Sequence, residues 1–165
     1  MVDVFNRMQN LLGTPANDSS WDGFWNELLI LPERVDEKQL FRTYSNFTLG
    51  FDVMVDSFSE KVWSVSFYRG GADGFENVYG PHVCCKFSFP NGVSFEDSRD
   101  VVARKMGKPI KSGSEREPTI TSRSVKRITV KPVVWDSFAF QNCRLRFSYF
   151  NDKLYRIDLS HLPSD

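Results

Sequence analysis

The sequence predicts an α+β fold in which two related units, each of short helices plus antiparallel sheet, pack into one domain. Three observations predict it: apolar residues at helical spacing in both halves, apolar and polar residues that alternate over several segments, and a near-constant distance between matching features. The chain has 165 residues, of which 41% are hydrophobic and 25% are charged. This size and composition favour a single globular core over a disordered or fibrous chain.

Two helices are predicted in the first half. Apolar residues recur every three or four positions over residues 4–12, which indicates an amphipathic helix that ends at Gly13. A second helix is predicted to be capped by Ser19 or Ser20 and to stop before Pro32. Its buried face would consist of Trp21, Phe24, Trp25, Leu28 and Leu29.

Strands are predicted to follow these helices. Alternation indicates strands over residues 51–55 and 63–67, joined by a hairpin connection at 56–60. This pattern puts Trp63 on the same face as the apolar residues that alternate after it. A glycine-rich stretch then predicts a connecting loop, and residues 83–89 predict a further strand.

The second half shows the same order of elements. Residues 94–97 resemble a capping box, and the apolar helical stripe after them stops at Gly107. A polar stretch at 110–124 leads into strand-like residues 125–134. Alternation over 145–159 predicts a last hairpin.

Two pairs of matching segments indicate an internal duplication. Residues 12–15 match 106–109 at a separation of 94, and residues 61–65 match 153–157 at a separation of 92. We therefore predict a duplicated helix-then-sheet unit, the alternative being that Gly-x-Pro helix stops and alternating strands coincide by chance. The predicted units are residues 1–82, which include the connecting loop, and residues 83–165.

Charge divides unevenly along the chain although the net charge is zero. Residues 1–82 carry a net charge of −6, and residues 83–165 carry +6. Candidate partner-binding residues in the acidic cluster are Glu33, Asp36 and Glu37. Those in the basic stretch are Arg116, Arg123, Lys126 and Arg127. A basic partner would contact the first group and an acidic partner the second, whereas the alternative is that the groups face each other or face solvent.

Other classes of function are not favoured by the residues. A pI of about 6.7 and a basic stretch without aromatic residues do not predict nucleic-acid binding. Three cysteines with no Cys-x-x-C spacing predict free thiols in a reducing compartment and no metal site. We expect no catalytic residues, no cofactor, no membrane segment and a cytoplasmic location. An enzyme that uses Cys84 or Cys85 is the minor alternative.

The aromatic content is high at 15%. Most of these side chains are expected to fill the core, and a few are expected at a recognition surface. If they instead line a cavity, the chain would be a small-molecule-binding module with an aromatic-lined pocket.

Four segments carry a resemblance to a known class of protein: residues 89–102, 105–109, 135–138 and 145–149. The pattern resembles small bacterial immunity proteins that are encoded beside polymorphic toxins. The order of helix, Gly-x-Pro stop, aromatic strand and hairpin also resembles the tandem repeats of β-lactamase-inhibitor-like folds, in which two units present a concave sheet to a partner protein. The sequence departs from this pattern at residues 86–90 and 110–124. It implies a non-enzymatic immunity or inhibitor protein that binds and blocks a cognate protein toxin.

Overall fold

A computed structural model shows the predicted α+β architecture. It describes residues 4–27, 32, 34–37, 40–70, 76–77, 82–120 and 128–162. The helices are α1 (Val4–Leu11), α2 (Ser19–Glu27) and α3 (Arg99–Met106). The strands are β1 (Arg34–Glu37), β2 (Phe41–Asn46), β3 (Phe51–Asp56), β4 (Val62–Tyr68), β5 (Glu76–Asn77), β6 (Lys111–Ile120), β7 (Ile128–Phe140), β8 (Cys143–Phe150) and β9 (Lys153–His161).

All the described strands belong to one antiparallel sheet, in the order β1-β2-β3-β4-β9-β8-β7-β6-β5. Strands β1 to β4 form one meander, and strands β6 to β9 form another. The last strands of the two meanders, β4 and β9, pair at the centre, where Val65 lies opposite Leu159 and Phe67 opposite Ile157. A duplicated helix-then-sheet unit would produce this layout, although duplication itself stays a prediction.

The helices cover one face of the sheet, which we call the helical face. Phe5 of α1 packs on Phe67 with ring centroids 6.1 Å apart, and Trp25 of α2 stacks on Phe51 at 6.0 Å. Alternate strand residues complete this core because successive side chains point to opposite faces. The fully buried ones include Val53, Val55, Val65, Leu145, Phe147, Ile157 and Leu159.

The starts of α2 and α3 differ from the sequence prediction. The cap of α2 is Asp18 rather than Ser19 or Ser20, since its Oδ1 accepts the Ser20 backbone N–H at 3.0 Å. Asp97 Oδ2 does accept the Ser94 N–H at 2.8 Å, but this closes a turn that precedes the helix. Short polar side chains make the same local hydrogen bonds in turns and at helix ends, so their spacing alone does not fix the first helical residue.

One strand prediction was also wrong, and one strand was not predicted. Residues 82–89 form no strand; the segment crosses the end of the first meander, where Cys85 donates its backbone N–H to the Tyr68 carbonyl at 2.8 Å. Phe87 and Phe89 from this segment pack against Phe67. Conversely, most of the polar stretch 110–124 is strand β6, which pairs with β7 over its whole length. Of the residues predicted on the buried face of α2, Leu28 and Leu29 lie outside the described residues.

Gly50 lies where the segment 82–89 crosses the sheet, and it tolerates no side chain. Its φ is +74°, and a Cβ built there would lie 2.1 Å from the Val83 carbonyl oxygen. We expect Gly50→Ala to lower the free energy of unfolding by at least about 1–3 kcal/mol. Gly23→Ala is the matched control, because nothing lies within 4 Å of its Cβ position in α2. The free energy of unfolding of that variant, measured in urea, should rise by about 0.5–1 kcal/mol. Equal stability of the two variants would contradict the close approach of residues 82–89 to Gly50.

Asp136 on β7 anchors α3 to the helical face. Its carboxylate accepts two hydrogen bonds from Arg99 at 2.7 Å each and one from Ser112 at 2.6 Å. These contacts, the Arg99 hydrogen bond above all, hold the pKa of Asp136 below its ordinary value. A lowered pKa stabilises the fold above the unfolded-state pKa of about 3.9, and this contribution is lost as the pH falls further.

We therefore expect Asp136→Asn to lose about 1–2 kcal/mol of stability at pH 7. Below about pH 5 its stability should fall less steeply than that of the wild type. Urea unfolding at a series of pH values from 7 down to 3 measures both effects. Asp152→Asn, at an exposed turn position whose φ of +61° suits asparagine, is the control and should follow the wild type. If the stabilities of Asp136→Asn and the wild type fell in parallel with pH, the Asp136 carboxylate would not be the source of this stabilisation.

Candidate binding face

The sheet face opposite the helices, which we call the open face, is polar and aromatic rather than apolar. Cross-strand register aligns its side chains in three rows at the centre. These rows are Ser64–Ser160–Arg144, Ser66–Asp158–Arg146–Ser137 and Tyr68–Arg156–Ser148–Trp135. A groove of about 390 Å³ runs over the centre of this face, with residues of β2, β3, β4, β8 and β9 along its walls. Both halves of the chain therefore contribute to one concave site.

An exposed tryptophan stands at the margin of the groove. The pairing of β3 with β4 shifts register between Met54 and Val55, so that Val62 takes the buried position. Trp63 is thereby 53% exposed, lines the groove and lies 6.1 Å from Phe41 between ring centroids. The prediction that Trp63 points inward with Val65 was wrong, because a bulge of this kind turns a side chain out of the alternation.

Three arginines line the groove from the second meander. Arg156 Nε lies 3.0 Å from Asp158 Oδ2, and Ser66 donates its hydroxyl to Asp158 Oδ1 at 2.7 Å. Arg144 donates its Nε–H to Ser160 Oγ at 3.3 Å, its one hydrogen bond within the described residues. These arginines were not among the residues predicted from the sequence, although they alternate with apolar residues along β8 and β9.

The third arginine, Arg146, is held by an aromatic ring and a carboxylate. Its guanidinium lies 4.6 Å above the centroid of the Trp135 ring, and it forms an ion pair with Glu115 on β6. Trp135 in turn packs on Gly113, whose Cβ position would lie 2.6 Å from the indole. Within the described residues, the buried Arg146 Nε has no hydrogen-bond partner. The Arg146 side chain is therefore held in place, and its Nε–H donates no hydrogen bond within the described residues.

A buried polar cluster closes one end of the groove. Asp52 Oδ2 accepts the Tyr68 hydroxyl at 3.0 Å, and Asp52 Oδ1 lies 2.7 Å from His82 Nε2. The His82 and Tyr68 rings stack with centroids 4.0 Å apart. Burial raises the pKa of Tyr68 well above its ordinary value. The phenol therefore keeps its proton and donates a hydrogen bond to Asp52. Asp52 is thus already bound by two neighbours.

The candidate residues from the sequence lie elsewhere and are not brought together. Asp36 and Glu37 are on the edge strand β1, where Glu37 pairs with Arg42 at 3.1 Å. Arg116 is exposed on β6, seven strand spacings away, or about 34 Å along the sheet. Those that lie outside the described residues are Glu33, Arg123, Lys126 and Arg127. The described acidic and basic candidates therefore do not face each other across the sheet.

The thiols are poorly suited to nucleophilic chemistry. Cys85 and Cys143 are buried, and burial raises the pKa of Cys85 to about 12. Burial, with the nearby charge of Glu96, also raises the pKa of the half-buried Cys84. Because the thiolate is the reactive form, little of it is present near neutral pH.

The described part of the chain contains no group of three histidine, cysteine or acidic side chains placed to hold a metal ion. None of its helices has the length and apolar character that a membrane crossing requires.

Comparison of the chain with protein-family models, with curated proteins and with solved structures gives no significant match.

Proposed function

We propose that the chain is a non-enzymatic cytoplasmic immunity or inhibitor protein that binds a cognate protein toxin and blocks it. The observation that carries the proposal is the open face, where an exposed tryptophan borders a groove that holds Arg144 and Arg146. Tryptophan and arginine are the residue types that most often dominate the energy of protein interfaces. The sequence resemblance to toxin immunity proteins supports the same reading.

The geometry of the open face suits a rigid docking surface. Its side chains stand on paired strands rather than on loops, so little conformational entropy is lost when a partner binds. Leu40 and Phe58 extend the apolar area beyond Trp63 and Phe41, because they occupy neighbouring turns at the same end of the first meander. A toxin that docks here would cover the groove and its apolar end together.

Co-purification from the native host at low salt, with mass spectrometry of the retained material, tests the proposal. We expect one stoichiometric partner that wild type retains, that Trp63→Ala loses, and that inhibits growth when expressed alone. Ile110→Ala is the matched control, since Ile110 is 56% exposed and does not line the groove. An empty column would contradict the proposal, and equal retention by Trp63→Ala would place the interface away from the open face.

A second candidate is a small-molecule-binding module. The observation that favours it is the groove itself, whose volume of about 390 Å³ lies within the usual range of ligand sites. Aromatic walls and arginines would suit a flat anionic metabolite. A rise in melting temperature with one compound of a metabolite panel would support this candidate, and a flat response across the panel would count against it.

A further inference from the structure

The open face discriminates between the two partner chemistries that the sequence left open. This inference rests on the proposed function, since it concerns what the toxin would place in the groove.

The carboxylates of the groove are each bound by two neighbours. Asp158 accepts the Ser66 hydroxyl and lies in an ion pair with Arg156. Asp52 is bound by Tyr68 and His82 at the closed end. A ligand that brings N–H or cationic groups would compete with these neighbours for the carboxylate oxygens.

The donors of the groove are only partly used. Arg144 makes a single hydrogen bond among the described residues, through Nε to Ser160. Arg146 uses one terminal nitrogen on Glu115, while its buried Nε has no hydrogen-bond partner in the described chain. A guanidinium has five N–H donors and no acceptor, so both side chains present surplus donors. An incoming acceptor would meet the terminal nitrogens of these side chains, because the Nε of Arg146 is itself buried.

The placement of these donors suits a single planar anion. Arg144 and Arg146 lie two residues apart on β8 and point to the same face, which spaces their Cα atoms by about 7 Å. Planar guanidinium groups bind carboxylates through paired hydrogen bonds. Stacking on Trp135 fixes Arg146 in advance, so little entropy is lost when it binds.

Charge balance argues against a phosphate backbone as the occupant. The three arginines of the groove are accompanied by Asp52 and Asp158, and Glu115 stands beside Arg146. Proteins that follow a nucleic-acid strand present an excess of positive charge over several nucleotides. This groove offers local donors without such an excess.

We propose that the groove is a receptor for one carboxylate side chain of the partner protein, held by Arg144 and Arg146, with an apolar neighbour of that residue seated on Trp63. The partner surface accordingly presents one acidic side chain at this point. The acidic residues Asp36 and Glu37 on the distant edge strand take no part in this contact.

Arginine Nε–Hε signals in a nitrogen–proton NMR spectrum test the proposal on the free protein. The probe is the peptide acetyl-Gly-Leu-Glu-Gly-amide, and its control is the same peptide with glutamine. We expect saturable shifts of the Arg144 and Arg146 signals with a Kd of about 10 mM, and binding roughly tenfold weaker with glutamine. Arg144→Gln and Arg146→Gln assign the signals and should each abolish the shift. Arg104→Gln, an exposed arginine on α3, should not change it.

Three results would overturn the proposal: no saturable shift, equal shifts with both peptides, or stronger shifts of the same signals with hexathymidylate. Backbone amide spectra show whether each variant is folded, and Arg144→Gln keeps the test valid if Arg146→Gln is not. The test is independent of partner capture. If the peptide fails while Trp63→Ala still releases the partner, the carboxylate receptor is wrong and the proposed function stands. If capture fails, the proposed function falls whatever the peptide does.

Discussion

Trp63→Ala is expected to weaken binding of the captured partner by about 30-fold or more, which corresponds to a loss of at least about 2 kcal/mol. Trp63 is the large apolar side chain that the bulge in β4 turns out of the core, and it lies against Phe41 beside the groove. In a complex, the indole would lose most of its remaining exposure. Calorimetric titration of the purified partner into each variant measures the change.

Stability and binding should separate in this variant. Because about half of the Trp63 side chain is already exposed, we expect its removal to change the free energy of unfolding by no more than about 1 kcal/mol. Ile110→Ala should leave both quantities close to wild type. If Trp63→Ala binds the partner with unchanged affinity, the interface lies elsewhere on the molecule.

Phe67→Ala is expected to lower the free energy of unfolding by about 3–5 kcal/mol, the largest effect on stability that we predict. Phe67 is fully buried on β4, opposite Ile157 of β9. Its ring also meets Phe5 of α1 and the two phenylalanines of the crossing segment, Phe87 and Phe89. The cavity would thus open where both meanders and a helix share one core. Domains of this kind have a total stability of about 5–15 kcal/mol, so the variant would be marginal.

Phe58→Ala provides the matched control for the same substitution. Phe58 is 79% exposed in the turn between β3 and β4, and its removal should change stability by no more than about 0.5 kcal/mol. Phe67→Leu should cost less than Phe67→Ala because it leaves a smaller cavity. Urea unfolding of the four proteins gives the comparison. Similar losses for the Phe58 and Phe67 alanine variants would contradict the packing described here.

Much of the fold was predictable because it follows from local patterns. The helix over residues 4–11 and the hairpins of β3 with β4 and of β8 with β9 have clear apolar periods and turn residues between them. The prediction failed where tertiary contacts override that pattern. Residues 83–89 have the composition of a strand, but they are held by isolated backbone contacts at the end of the sheet. Strand β6 is polar, and it forms because β7 pairs with it along its full length.

The candidate site was harder to predict because it depends on register between distant segments. The signal for the arginines exists, since Arg144 and Arg146 alternate with Leu145 and Phe147 and must face away from the core. However, the partner-binding residues predicted from clusters of like charge lie near the sheet edges, with Asp36 and Glu37 on β1 and Arg116 on β6. The contact of Ser66 with Asp158 joins residues 92 positions apart, and no local pattern specifies which of them meet.

The central pairing of β4 with β9 also has a consequence for synthesis. Strand β4 ends at Tyr68, whereas β9 ends at His161. At the usual translation rate of 5–20 residues per second, the first meander would wait roughly 5–20 s for its neighbour. During that interval the side of β4 that later pairs with β9 has unpaired backbone groups. Such an edge can pair with the same strand of another nascent chain. Slow translation of the second half would therefore favour aggregation, and the yield of native protein would depend on how quickly β9 arrives.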